Sequence, residues 1–149
     1  MHQLEVFSDD RVLAVAAHPD DVDIACGGAI SRWARDGAEI SYCLATDGSR
    51  GEGADANPRS RLDEQRQAAD SLGVGDIEVI GERDGEVFDT LQLRTNIAQA
   101  IRRYRPTVVL THSPRVNMSS VRFSHPDHLA VGAATLAAVF PFARSSELL

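Results

Sequence analysis

A three-layer α/β/α fold around a mostly parallel sheet, in the Rossmann-like strand order 3-2-1-4, is predicted by three observations. Short apolar runs of β-forming residues recur along the chain, stretches with helical spacing separate them, and Gly or Pro follows most of the helical stretches. That alternation implies parallel neighbours joined by right-handed helical crossovers. With 149 residues, 43% apolar and 25% charged, the chain suits one domain over residues 1–149 with a single real core.

The elements follow in order. The first strand is expected at Arg11–Ala17, an apolar run that stops against His18, Pro19, Asp20 and Asp21. A helix over Ile24–Asp36 is closed by Gly37, and a second strand follows at Glu39–Ala45. The second helix, Ser60–Leu72, ends before Gly73, and the third strand is Asp76–Gly81. The third helix, Thr90–Tyr104, stops ahead of Pro106; the fourth strand is Thr107–Thr111 and the fourth helix Asp127–Phe140, with Pro126 suited to a first helical position. The irregular stretches Asp47–Arg59 and His112–Ser124 exceed the usual connection length, which marks them as functional loops. Gly27 and Gly28 lack the GxGxxG spacing of a dinucleotide loop and read as a close helix-to-sheet contact.

Composition narrows the partners. Fifteen Lys and Arg against 22 Asp and Glu leave a net charge of −7, which disfavours nucleic acid or an anionic membrane surface as the main partner. Cys26 and Cys43 lie within apolar segments without metal-type spacing and read as small buried hydrophobes, so a reducing cytoplasm is the expected compartment. No secretion signal and no apolar run near the roughly 18 residues of a membrane helix is present.

In an open parallel sheet, ligands bind beyond the carboxyl ends of the strands where strand order reverses. Order 3-2-1-4 makes strands one and four neighbours, so the loop carrying His18, Asp20 and Asp21 faces the loop carrying Ser124–His128 (SHPDH). An open catalytic zinc site takes three imidazole or carboxylate ligands, and His18, Asp21 and His128 could supply them. A metal-bound water still needs a proton acceptor, for which Asp20, consecutive with Asp21 but directed elsewhere, is the candidate. Taken singly, HxxH reads as surface or N-cap decoration and Asp-Asp as a helix N-terminal charge pair; the metal reading rests on their conjunction. His112, at the end of the fourth strand, reads as an orienting or packing residue. Arg115 and Arg122 could meet an anionic group.

The segments AHPDDVDIACGG and SHPDHLAVG resemble the paired signature of the PIG-L deacetylases, also called LmbE-like N-acetylglucosaminyl deacetylases. TDGSRGEG, RLDEQRQAADSLGV and ERDGEV resemble that family in order and spacing. The resemblance implies zinc-dependent removal of an N-acetyl group from an amino sugar conjugate. It further implies His18, Asp21 and His128 as ligands of Zn2+ and Asp20 as general base. His125 would polarise the acetyl carbonyl or protonate the departing amine, with Asp127 orienting it. Asp84 would accept a sugar hydroxyl, and Arg61 would contact substrate. The expected partner is a small N-acetylated amino sugar, with no nucleic acid or membrane, and an uncovered sheet edge would favour a homo-oligomer. Family members continue well beyond a segment like FPFARSSELL, so this chain is expected to lack the usual C-terminal part. A non-catalytic metal-binding or interaction domain that keeps the site is the alternative.

Overall fold

The computed structural model describes residues 4–51, 58–119, 121 and 124–145. Strands β1 (Arg11–Ala16), β2 (Glu39–Thr46), β3 (Asp76–Glu82) and β4 (Val108–Thr111) form a four-stranded parallel sheet in the order β3-β2-β1-β4. The crossovers are α1 (Asp21–Arg35), α2 (Pro58–Leu72) and α3 (Leu91–Tyr104); α4 (Pro126–Val139) follows β4, and a single 3-10 turn closes Phe142–Arg144. The central strand β1 is paired on both sides, with Val12 opposite Ile40 and Val108, and Val15 opposite Cys43 and Thr111. The expected 3-2-1-4 order is thus the observed one.

β1 reads as an unbroken apolar run because helices cover both faces of the sheet. Its residues divide by the two-residue period of a strand. Leu13, Val15 and Ala17 join Cys43 and Ala45 in packing against Leu93 and Ile97 of α3 and Val131 and Ala134 of α4. Val12, Ala14 and Ala16 join Ile40, Tyr42 and Leu44 against Val22 and Ile30 of α1 and Ala69 of α2. The sheet stands between the two cysteines, since Cys43 belongs to the first cluster and Cys26 packs on the second; both are free thiols. Burial pushes the Cys43 thiol up to about 12, the behaviour of a small core residue and not of a nucleophile.

Helix boundaries depart from the sequence reading where caps rather than apolar spacing decide them. α1 begins at Asp21, not Ile24, with Asp21 and Asp23 in the first turn, where the helix dipole favours anions. Thr90 caps α3 instead of opening it, its side chain accepting the Leu93 N–H at 3.1 Å. The Gly27–Gly28 pair does not serve the sheet. Gly27 faces Leu72 of α2 at an ordinary contact distance of 3.6 Å for an added Cβ, and Gly28 faces open space. Gly132 in α4 is required by a close approach to backbone, since a Cβ there would collide with the His112 carbonyl oxygen. α4 therefore lies directly on the peptide that follows β4. Among the described residues, no helix is long and apolar enough to cross a membrane.

Gly132→Ala follows as a test of that contact. Alanine gains about 1 kcal/mol in helix propensity, but the obstacle is backbone and cannot rotate aside, so the overpacking penalty of about 1–3 kcal/mol prevails. Urea denaturation should show lower stability; an unchanged or raised midpoint would mean that α4 does not depend on this approach.

Candidate active site

The loop after β1 is tied to both neighbouring strands before any functional side chain is placed. The Ala17 carbonyl accepts the Thr46 N–H and the Thr46 hydroxyl, each at 2.9 Å, and the Ala17 N–H donates to His112 Nε2 at 3.1 Å. The turn closes on itself as the His18 N–H donates to Asp21 Oδ2 at 2.8 Å. From the opposite side, α4 presents His125 as its N-cap, Asp127 in its first turn and His128 one residue on.

His18 links the two. Its Nε2 lies 3.1 Å from Asp127 Oδ2 and 3.2 Å from Asp84 Oδ1. Carboxylates only accept, so this nitrogen carries the ring proton and Nδ1 is left with its lone pair. That Nδ1 lies 3.3 Å from Asp21 Oδ2 and 3.3 Å from His128 Nε2, while His128 Nε2 lies 3.2 Å from Asp21 Oδ1. Corners of a tetrahedron whose centre is about 2.0 Å away are about 3.3 Å apart, the spacing of imidazole and carboxylate donors on zinc. The residues present therefore fit a divalent metal, with one tetrahedral position left over. A second grouping, His18, His125 and Asp127, is less suited. Asp127 is already engaged with His18 Nε2, and His125 Nδ1 accepts the Asp127 N–H at 3.2 Å.

The two consecutive aspartates sit in opposite electrostatic settings. Burial alone would raise the Asp21 carboxyl, but the His112, His128 and His18 rings gathered around it outweigh that and hold Asp21 far below the usual carboxylate range. The Asp20 carboxyl is raised, chiefly by burial and further by Asp21, against the opposing pull of Arg61. His18 is raised as well: burial lowers it, but Asp21, Asp127 and Asp84 together prevail. Asp20 keeps a side chain 55% exposed and meets Arg61 Nη2 at 3.2 Å, while Arg61 Nη1 donates to the Gly48 carbonyl at 3.1 Å. Asp20, Arg61, Asp84, His125 and His128 line one cleft of about 320 Å³, together with His18, Arg50 and the Gly48 and Gly51 backbone.

All the residues singled out as ligands, base and substrate contacts thus meet at the carboxyl edge of the sheet; the contacts of Asp127 and Asp84 differ from expectation, and those of His112 fill in its expected orienting or packing role. The Asp127 carboxylate, 1% exposed, does not orient His125; it accepts from His18 Nε2 and from the Gly85 and Val87 N–H groups at 2.8 and 3.3 Å. Only its backbone N–H reaches His125, because an N-cap ring bonds the residue two positions on while a first-turn side chain turns away. Asp84 is nearly buried and accepts the Arg50 N–H at 2.7 Å besides facing His18. His112 does more than pack, stacking on His128 with ring centroids 4.0 Å apart at 10° and placing Nε2 3.3 Å from Asp21 Oδ2. Arg50 escaped sequence reading, although its place just past β2 is at the same sheet edge. Arg115 is exposed and outside the cleft lining, and Arg122 lies outside the described residues, as does part of the loop before α2.

The chain matches the family profile of PIG-L, GlcNAc-PI de-N-acetylase, over residues 13–139. It is 35% identical over 142 residues to the diacetylchitobiose deacetylase of Thermococcus kodakarensis, covering 91% of this chain and 51% of that protein. It is 33% identical to the 1D-myo-inositol 2-acetamido-2-deoxy-alpha-D-glucopyranoside deacetylase of Rhodococcus jostii, covering 89% of this chain and 54% of that one. Among solved structures, the N,N'-diacetylchitobiose deacetylase of Pyrococcus horikoshii superposes with a TM-score of 0.81 at 28% identity, over 91% of this chain and 53% of that one. The chain spans about half the length of the curated relatives it matches.

Asp127→Ala tests the anchor on which the site stands. Removing this buried carboxylate leaves the Gly85 and Val87 N–H groups without an acceptor, each worth about 1–3 kcal/mol, and leaves His18 Nε2–H with Asp84 alone. The expected loss of roughly 2–5 kcal/mol would appear in chemical denaturation; a loss below about 0.5 kcal/mol would show that these donors find water instead.

Proposed function

This chain belongs to the PIG-L, or GlcNAc-PI de-N-acetylase, family, and on that premise we propose that it acts as a zinc-dependent N-deacetylase on an amino sugar conjugate. The observation that carries the reading is the convergence of His18 Nδ1 and His128 Nε2, 3.3 Å apart, on the two oxygens of the Asp21 carboxylate at 3.3 and 3.2 Å, beside a cleft walled by Asp20 and His125. The relatives' names support the substrate class, since each is a deacetylase of an acetylated amino sugar.

In this reading His18, Asp21 and His128 hold Zn2+, which when bound lowers the pKa of a water and polarises a carbonyl. Asp20 takes one proton from the attacking water as the C–O bond forms. Its raised pKa makes it a stronger base than a solvated aspartate, and its exposure leaves it open to the cleft. The acetyl oxygen then needs a fixed donor. His125 accepts the Asp127 N–H at Nδ1, so the neutral ring carries its proton on Nε2 and offers a hydrogen bond rather than a full proton. Of the two roles considered for His125, polarising the carbonyl is the one this contact supports. Asp20 returns the proton to nitrogen as the C–N bond breaks, so that acetic acid and a free amine leave with every proton accounted for. Asp84 and Arg61, on the cleft wall, serve the sugar, and Arg61 also steadies the base. Residence in the cytoplasm belongs to the same reading, supported by two unpaired thiols on opposite faces of the sheet.

One observation favours a second reading. The chain covers 51% of the diacetylchitobiose deacetylase of Thermococcus kodakarensis, and the second reading is a metal-binding or interaction domain that keeps the site without turnover. Amine release from N-acetylglucosamine conjugates by the zinc-loaded chain separates the two, and its absence would favour the second.

Two variant sets test the assignment. His128→Ala and Asp21→Asn should lose most bound zinc by elemental analysis, since two donors hold it poorly; full occupancy would remove either residue from the ligand set. Asp20→Asn should keep its zinc and lose roughly a hundredfold or more in turnover, the usual scale for a general base. Zinc loss in Asp20→Asn with retention in Asp21→Asn would exchange the two roles.

A further inference from the structure

Asp20 occupies the N-cap position of α1, where an aspartate normally turns its carboxylate back onto the first N–H groups of the helix. It does not do so here. Its side chain makes no capping hydrogen bond, and its backbone is left-handed, with φ 79° and ψ −23°. For a residue other than glycine that conformation costs about 1–2 kcal/mol and persists only where the surroundings over-determine it.

The surroundings that do so form one part-buried chain of hydrogen bonds from the sheet to the loop. Tyr42 of β2, fully buried, donates its hydroxyl to Asp23 Oδ1 at 2.9 Å. Gln65 of α2, 4% exposed, donates Nε2 to Asp23 Oδ2 at 2.8 Å and accepts the Asp20 N–H on Oε1 at 2.5 Å. The polarity is forced along its length. Asp23 accepts at both oxygens, so the amide must turn its NH2 to Asp23 and its oxygen to Asp20. Burial, and then the charge of Asp23, push the Tyr42 phenol up, which keeps it a donor.

We propose that Gln65 is a positioning residue for the base. By holding the Asp20 N–H it keeps Asp20 in the left-handed conformation, so that the carboxylate faces Arg61 and the cleft instead of capping α1. The proposal rests on the reading of Asp20 as general base, but the hold itself is independent of that chemistry.

The test uses the zinc-loaded, 15N-labelled chain and three variants. In Gln65→Leu the Asp20 amide proton should move upfield and exchange faster with solvent. Turnover should fall roughly tenfold to a hundredfold, the scale of misplacing a reacting group, while zinc content and KM stay within about twofold, a change too small to be a lost binding contact. Gln65→Glu sets two carboxylates against each other and should be similarly impaired. Adding Asp23→Asn to Gln65→Glu reverses the direction of the one link between positions 65 and 23, leaves the bonds from Tyr42 and Asp20 as they were, and restores a donor for every acceptor, so both the amide signal and turnover should return. An Asp20 amide unchanged in Gln65→Leu, a loss of turnover that follows zinc loss, or a double variant as impaired as Gln65→Glu would overturn the proposal. If Gln65→Leu does not fold, the comparison of Gln65→Glu with the double variant decides alone. Full turnover in Asp20→Asn with the amide response intact would instead unseat Asp20 as base and leave the hold standing.

Discussion

The His18 imidazole joins loops that lie 109 positions apart, and the site depends on that ring's two ends facing different chemistry. Its Nε2 is fastened to the buried Asp127 carboxylate of α4, and its Nδ1 faces Asp21 and His128. The carboxylate fixes the tautomer, the tautomer frees the lone pair, and the lone pair completes a donor set at tetrahedral spacing. Asp127 can sit there only because α4 rests on the chain leaving β4, an approach that Gly132 permits.

Around this link the protein separates two neighbouring carboxylates into different roles. Asp21 is surrounded by imidazoles, which hold its carboxyl far below the usual range and keep it ionised. Asp20, one residue earlier, is partly buried, is raised, and opens to the cleft. Identical side chains acquire opposite proton affinities because a left-handed residue between a strand and a helix sends them to different sides. The arrangement matches the general pattern in which paired acids are driven apart by environment.

Much of this was legible beforehand because it depends on local pattern and simple topology. The alternation of apolar runs and helical stretches marks a parallel sheet, and the 3-2-1-4 order then brings the ends of β1 and β4 side by side. His18, Asp21 and His128 are conspicuous because charged and imidazole groups interrupt apolar runs at strand ends. Less legible were contacts whose partners share no sequence neighbourhood. Asp127 was assigned to His125 as its near neighbour, yet its carboxylate closes on the loop after β3. Gln65 stands among charged neighbours in RLDEQRQAADSLGV, and nothing local distinguishes a buried amide from an exposed one.

Hydrophobic periodicity and chain direction are enough to give the fold class, the sheet edge where imidazoles and carboxylates gather, and the residue types found there. Packing across elements settles what pattern leaves open: which nitrogen of His18 faces Asp21 and His128, which groups the Asp127 carboxylate meets, and what holds Asp20 away from its own helix. Those are matters of hydrogen-bond partnership across elements. A donor or acceptor has no orientation until its counterpart is packed within about 3 Å of it, and in this chain the counterparts come from β2, α2, α4 and the loop after β3.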